Sequence, residues 1–433
     1  MAAFCAQPAT AGNAAQPPVD PGPRAGAPGA GGPLPGLDQG SIAFFDAAQR
    51  RFETVVSVTG VLPGEPDSGL GPRFNGNVCS GCHAYPATGG SSPPTNPLVA
   101  LATLDGAANS VPRFIAPHGP VREARFVRNP DGSPDGTVHD LFTITGRSDA
   151  KGCALKQPDF ARELANGNLA LRIPSGLFGL GLVENVRDSG LIAADAAHAA
   201  AKAALGISGR FNRSPEEGTI TRFGWKAQEK SLLAFSGQAY AVEIGATNEL
   251  FPNEREDDPH CRFTAQPEDF TNFRDAVNSF GASDTVMFAG YIRLLGPPVP
   301  TPFTPSAWRG RRAFVETGCE ACHFETHTTT DSVYTGQSGV AFHPYSDFEV
   351  HAMGAALADG IAQGNAAGDQ FRTAPLWGIG QRLFFLHDGR TANLLTAIEA
   401  HSSAGSEANG VIARFNALPA GQAQDILNFL RSL

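Results

Sequence analysis

Two five-residue clusters carry the chemistry of this 433-residue sequence: Cys79-Ser80-Gly81-Cys82-His83 and Cys319-Glu320-Ala321-Cys322-His323. Thiols three positions apart reach the two vinyl groups of one porphyrin, and the histidine that follows is directed at its iron as proximal ligand. Each cluster is therefore a signature of covalent c-type haem attachment. Two other chemistries use cysteine pairs. A split zinc site needs one closed four-ligand sphere and no histidine directly after both pairs, and a redox dithiol needs one pair in a strand-helix unit. Two covalently bound haem c groups are the expectation, which implies assembly in an oxidising compartment, periplasmic or otherwise extracytoplasmic.

The remaining cysteines are Cys5, Cys153 and Cys261. Cys153 and Cys261 form an even pair in a chain that meets oxidising conditions, which suggests a disulfide; two buried free thiols are the alternative, since their separation in sequence cannot establish contact. Cys5 receives no role. The start MAAFCAQPAT has neither a basic region nor a long apolar stretch, so a processed chain is expected.

A haem iron with histidine on one face either takes a second protein ligand and passes electrons or keeps a position open for chemistry. For the second iron the leading ligand is His401, because Leu394, Ala397, Ile398 and His401 fall at helical intervals on one face. A hydrogen-bonded core or helix-end histidine is the alternative. Met353 is the runner-up, a thioether that would raise the potential, and His351 two residues earlier would contact a propionate or hold the turn. For the first iron no companion stands out among His118, His139 and His198, so an open position is expected. Glu243 follows the apolar positions Leu232, Leu233, Phe235, Ala239 and Val242, a pattern that can carry a proton-transferring acid into a partly buried pocket. On the residues alone, a solvent-facing glutamate is the simpler reading.

Several elements must position these groups. Phe44, Phe45, Ala48, Phe52 and Val55 make a helical stripe that the Gly/Pro-rich stretch 60–71 ends before the first cluster. Trp308, Arg311, Arg312 and Val315 lead less regularly into the second. The Ala-rich stretch 191–206 is a helix former, and 422–433 sets Ile426, Leu427, Leu430 and Leu433 on one side. Stretches 121–127 and 141–145 read as short strands, and 91–110 as a surface connection. A loose repeat links the two clusters: Phe74 and Phe314 stand five residues before Cys79 and Cys319, and Arg172, Pro174 and Gly179 are echoed by Arg372, Pro375 and Gly378.

With 50 Gly and 34 Pro among these helices, the expected fold is mostly α: two cytochrome c-like haem domains with long loops and minor β elements. Residues 1–40, rich in Pro, Gly and Ala, are expected to be disordered and removable. Residues 41–300 form the N-terminal c-haem domain with the catalytic haem and long insertions, and 301–433 the C-terminal domain with the electron-transfer haem. The formal charge of −10 argues against a nonspecific grip on nucleic acid and permits docking of a basic electron donor. Apolar runs such as 175–183 are too short and Gly-rich to span a membrane.

Taken together, these residues resemble the di-haem bacterial cytochrome c peroxidase superfamily, most closely its branch of di-haem oxidoreductases, also labelled thiol oxidoreductases. The resemblance runs over residues 45–433 and rests on both cysteine clusters, 71–75 (GPRFN), 172–174, 221–232 (TRFGWKAQEKSL), 249–254 (ELFPNE), 344–348 (PYSDF), 371–377 (FRTAPLW) and 383–391 (LFFLHDGRT). It implies that Glu243 takes the place of the acid above the catalytic haem. It sets His401 where the peroxidases carry Met and the related tryptophan-modifying maturation enzymes carry Tyr, a departure that would lower that haem's potential. Trp225 would lie between the haems and assist electron transfer; Phe223 is an equal match for that place, and simple packing the alternative.

The implied function is a periplasmic, peroxide-dependent di-haem oxidoreductase. It would have an open catalytic haem at His83, Glu243 moving a proton between the peroxide oxygens, and a bis-His relay haem at His323 and His401 reduced by a small c-type cytochrome or copper protein. Oxidative modification of a partner protein and non-enzymatic electron carriage are the alternatives. The thiol label has little support, because the conspicuous cysteine pairs are consumed by haem attachment. Calcium occurs at the domain interface in relatives, but no acidic calcium-loop spacing is present here.

Overall fold

Helix Gln39–Phe52 begins where Asp38 accepts a hydrogen bond from Ser41 N–H (2.7 Å), and it buries Phe45, Ala48 and Phe52 at helical spacing. That face packs against helix Asp284–Leu294, which is buried on nearly every side. Phe52 meets Tyr291 at 4.9 Å between ring centroids and Phe288 at 6.0 Å. The computed structural model describes residues 16–272 and 281–433 of the chain; Cys5 lies outside them.

A second helix pair repeats this layout. Pro305–Thr317 packs on Ala420–Leu430 so closely that a Cβ on Gly310 would stand 1.9 Å from the Asp425 carbonyl oxygen, so only glycine fits there. In each pair a phenylalanine of the first helix faces the histidine of a cysteine cluster at nearly the same geometry. Phe52 lies 6.1 Å from His83 and Phe314 lies 6.2 Å from His323, both with ring planes at 56°. The counterpart of Phe314 is therefore Phe52, not Phe74, which is fully buried against Phe142. Sequence spacing matched the wrong aromatic because the loop between helix and cysteines differs in length between the two copies.

The remaining architecture is helical with a few small sheets. Strand Glu123–Phe126 is the centre of an antiparallel three-stranded sheet, flanked by Val138–His139 and Leu169–Arg172, with Glu123 opposite Arg172. Arg73–Phe74 pairs with Phe142–Thr143, and Val350–Ala352 pairs with Gln370–Arg372. The Ala-rich helix runs Asp188–Leu205 and stops at Gly206 in the left-handed region (φ 73°). Cys153 and Cys261 are joined by a disulfide. A large apolar cluster gathers residues from Leu34 to Leu295 with Phe342 and Phe348, and a smaller one gathers residues from Ala307 to Leu433. Among the described residues no helix is long and apolar enough to cross a membrane.

Two expectations need correction. Stretch 91–110 is not a surface connection: it contains the helical turns Leu98–Leu101 and Leu104–Gly106, buries Leu98 and Leu101, and is pinned where Asn96 donates to the Pro120 carbonyl (2.9 Å). Nor are residues 16–40 disordered. They lack regular structure up to Asp38, yet Leu34 and Leu37 are buried, Arg24 N–H donates to Gly380 (2.8 Å), Leu34 N–H to Leu294 (2.7 Å), and Asp20 pairs with Arg431 at 2.7 Å. Pro and Gly exclude helix and sheet here, but an extended strap still docks where the folded surface offers it polar partners and an apolar seat.

Candidate functional site

The first cysteine cluster opens onto a cavity of about 480 Å³. Cys79–Cys82 is a single helical turn, and the His83 N–H donates to the Cys79 carbonyl (3.1 Å). The His83 Nδ1 lies 3.0 Å from the Gly90 carbonyl oxygen. That oxygen only accepts, so Nδ1 carries the hydrogen and Nε2 keeps its lone pair, while burial lowers the imidazole pKa and holds the ring neutral. A neutral ring anchored through Nδ1 is the form that binds a metal. Burial pushes the Cys79 thiol up to about 12 and raises Cys82 as well, which leaves neither as a ready thiolate.

The acid stands on another element of the same cavity. Helix Leu232–Ala239 continues into a π-helical turn, Tyr240–Ile244, which carries Glu243 and ends at Gly245 (φ 78°). The 71–75 loop grips this turn. Asn75 and Gly76 donate to the Glu243 carbonyl (2.7 and 3.0 Å), and a Cβ on Gly71 would meet the Gly245 carbonyl oxygen at 2.2 Å. Glu243 is hydrogen-bonded to the carboxyl of Glu123, which lines the same cavity and pairs with Arg125 at 2.7 Å. Burial and the Glu123 carboxylate hold the Glu243 pKa well above the usual carboxylic range. For Glu123, burial is outweighed by Arg125 and Arg172, and its pKa lies below that range. Glu123 and Arg125 were legible only as alternate positions of a short strand; nothing in the sequence joins them to Glu243. Among the described residues no histidine besides His83 lines this cavity: His139 bonds to Asp135 (2.8 Å), His198 stacks on Phe324 (3.7 Å), and His118 is exposed.

The second cluster opens onto a cavity of about 220 Å³, which shares no cysteine with the first. Among the described residues no metal-ligating group brings the two cysteine pairs together, so they do not form one zinc sphere. His323 donates from Nδ1 to the Tyr345 carbonyl (2.9 Å), and His401 donates from Nδ1 to the Ala397 carbonyl (2.7 Å). Burial lowers both rings, His323 to about 4, with His401 a further cause for His323. Leu394, Ala397, Ile398 and His401 all line the cavity, which is the face their spacing predicts. Met353 lines it too. His351 has both ring nitrogens committed, Nε2 to Asp347 (2.9 Å) and Nδ1 to Glu407 (3.0 Å), so it holds the turn and has no lone pair to offer. His387, missed in the sequence, also lines this cavity, stacked on Phe371 with centroids 4.1 Å apart.

Two cations, the buried Arg372 and the half-buried Arg382, decide whether an anionic macrocycle suits these walls. Arg372 and Arg382 line both the second cavity and a smaller one of about 50 Å³ beside it, and among the described residues neither has a carboxylate partner. One guanidinium nitrogen of each, Arg372 Nη1 and Arg382 Nη2, is buried without a hydrogen-bond acceptor. Burial lowers both to about 10. Unpaired buried cations are costly unless an anion meets them, and haem propionates supply one. The residues present therefore fit the group. Trp225 lines all three cavities and donates from Nε1 to the Ile173 carbonyl (2.8 Å), whereas Phe223 is buried in the apolar core.

No curated protein matches the chain. Among solved structures, one described as "Kuenenia stuttgartiensis Hydrazine Synthase Pressurized with 20 bar Xenon" is similar at 18% identity over 37% of this chain, with a TM-score of 0.23; the match spans only 60% of that chain. The family described as "Di-haem oxidoreductase, putative peroxidase" matches residues 123–433. That span takes in Glu123, Glu243, the second cysteine cluster and the whole lining of the second cavity, while the first cluster, Cys79–His83, lies before it; the chain belongs to this di-haem oxidoreductase family.

Proposed function

We propose that the protein is a periplasmic di-haem c-type oxidoreductase with peroxide-dependent chemistry. Cys79 and Cys82 hold one haem with His83 as its ligand, and Cys319 and Cys322 hold the other with His323 and His401. The observation that carries this is the inequality of the two cavities: the first offers one histidine and Glu243 with its raised pKa, the second the rings of His323, His401 and His387, all with lowered pKa values. A bound haem supplies redox chemistry at an open iron position in the first cavity and electron storage in the second.

The chain's own residues do the rest. Glu243, kept protonated by its surroundings, offers a proton to the departing oxygen of a peroxide. Arg372 and Arg382 hold propionates, and Trp225, present on the walls of both large cavities, is the side chain through which they communicate electronically. Electrons come from a small c-type cytochrome or copper protein. Mass measurement of the purified holoprotein is expected to show two covalently retained haems. Glu243→Gln is expected to slow peroxide-driven haem oxidation in stopped flow by about 100-fold; an unchanged rate rejects the acid role.

A further inference from the structure

Strand Glu123–Phe126 places Glu123 and Arg125 two residues apart, hence on one face, and that face lines the first cavity. Across the strand pair, Arg172 is opposite Glu123 but is spent on Asp359 (2.7 Å) and Gln363 (2.6 Å). Arg125 is the cation in direct contact with Glu123. It binds Glu123 Oε1 through Nε at 2.7 Å and is itself fixed by Nη1 donation to the Gly136 carbonyl (2.9 Å). Glu123 and Glu243 meet carboxyl to carboxyl. Two carboxylates in contact inside a cavity do not readily both ionise, so such a pair keeps one shared proton.

We propose that Glu123 is the proton acceptor of the first cavity and acts through Glu243: the pair holds one proton, Arg125 keeps the negative charge on Glu123, and a protic ligand entering the cavity passes its proton by way of Glu243 to Glu123. The ligand gives its proton to the free oxygen of the Glu243 acid while the Glu243 O–H proton crosses to Glu123. The pair goes from one proton to two and its charge from −1 to zero; the second proton later returns to the departing group. The step moves protons only.

The environment separates the two roles. Burial and Glu123 raise Glu243, so Glu243 is an acid at neutral pH and no base on its own. The Arg125 guanidinium, in direct contact with Glu123 and not with Glu243, places the pair's negative charge on Glu123. The other groups facing the pair are Arg172 with Asp359 behind it, the Asn75 amide, and the Cys79 and Cys82 thiols across the cavity. The cavity wall runs on to Asp135 and the exposed Thr137, so the pair has a route to solvent protons.

The proposal deepens the peroxide reading and rests on it for the natural ligand, so the test uses another protic ligand. Hydrogen cyanide must surrender its proton to bind a ferric iron. Its association rate with the haem at His83 is measured against pH in the holoprotein, alongside an infrared pH titration of the carboxylic-acid C=O band. Glu123→Gln is expected to slow association at neutral pH by about 100-fold and to move the acid limb of the profile upward, because Glu243 must then ionise by itself. The infrared midpoint of Glu243 falls in the same variant, since its like-charged neighbour is gone; Glu243→Gln abolishes the band at neutral pH. Arg125→Gln, which leaves both carboxyls in place, also moves the acid limb upward. A Glu123→Gln profile and titration that superimpose on the wild type overturn the proposal. Failure of the first iron to bind cyanide in every variant rejects the open-site function instead, and the infrared titration still decides the pair.

Discussion

His323 and His401, 78 residues apart in sequence, line one cavity, and each gives its Nδ1 hydrogen to a backbone carbonyl, Tyr345 and Ala397 respectively. Both rings are thereby locked in the tautomer whose Nε2 is free to bind iron. Replacing His401 with Ala is expected to convert a low-spin bis-imidazole signal into a high-spin one, or into a His/Met signal if Met353 moves in. Magnetic circular dichroism in the near infrared separates these outcomes. Retention of the bis-imidazole signal in the variant would assign the ligand to another residue, with His387 first in line.

Arg372 and Arg382 line the second cavity, and each has one guanidinium nitrogen buried without a hydrogen-bond partner. A positive charge near an iron favours its reduced form. Arg372→Gln and Arg382→Gln are each expected to lower the midpoint potential of the second haem in a redox titration while leaving the first little changed. Midpoints unchanged in both variants would show that neither arginine faces a propionate.

Asp20 ties the N-terminal strap to Arg431, with both side chains only 4% exposed. Burial raises the Asp20 pKa, but the Arg431 hydrogen bond and the Leu394 N–H outweigh it, so the net shift is downward. A lowered carboxylate contributes stability that is present above its unfolded value of about 3.9 and is lost as pH falls through the folded value. Asp20→Asn is therefore expected to cost about 3 kcal/mol at neutral pH in denaturant unfolding, and progressively less as the wild type is acidified. Equal stability at neutral pH would mean that the strap is not held by this pair.

Gly310 lets helix Pro305–Thr317 touch the Asp425 backbone. Gly310→Ala is expected to cost about 2 kcal/mol by forcing the helices apart, read as a lower denaturant midpoint. A wild-type midpoint would indicate that the second helix pair separates freely.

What the sequence revealed follows from the distance over which each feature is encoded. The cysteine clusters are local, and the face bearing His401 is a period that starts in helix Leu394–Glu399 and runs into the turn just past its end, so both are readable without a structure. The Glu123 role is not local: it depends on a strand meeting a π-helical turn 120 residues away. The isolation of Arg372 and Arg382 is equally invisible, because a sequence cannot show that a cation lacks a partner. Pro/Gly composition predicts loss of regular structure for the N-terminal strap, which holds, and was extended to loss of order, which does not hold for residues 16–40. Composition reports propensity, whereas order there comes from contacts with residues around 294, 380 and 431.

Electron paramagnetic resonance of the resting ferric holoprotein, before and after cyanide, addresses unequal access to the two irons most directly. One high-spin signal that converts to low spin on cyanide addition, beside one low-spin bis-imidazole signal that ignores it, is the expected result. Two low-spin signals, both indifferent to cyanide and to peroxide, would contradict it and leave electron carriage in its place.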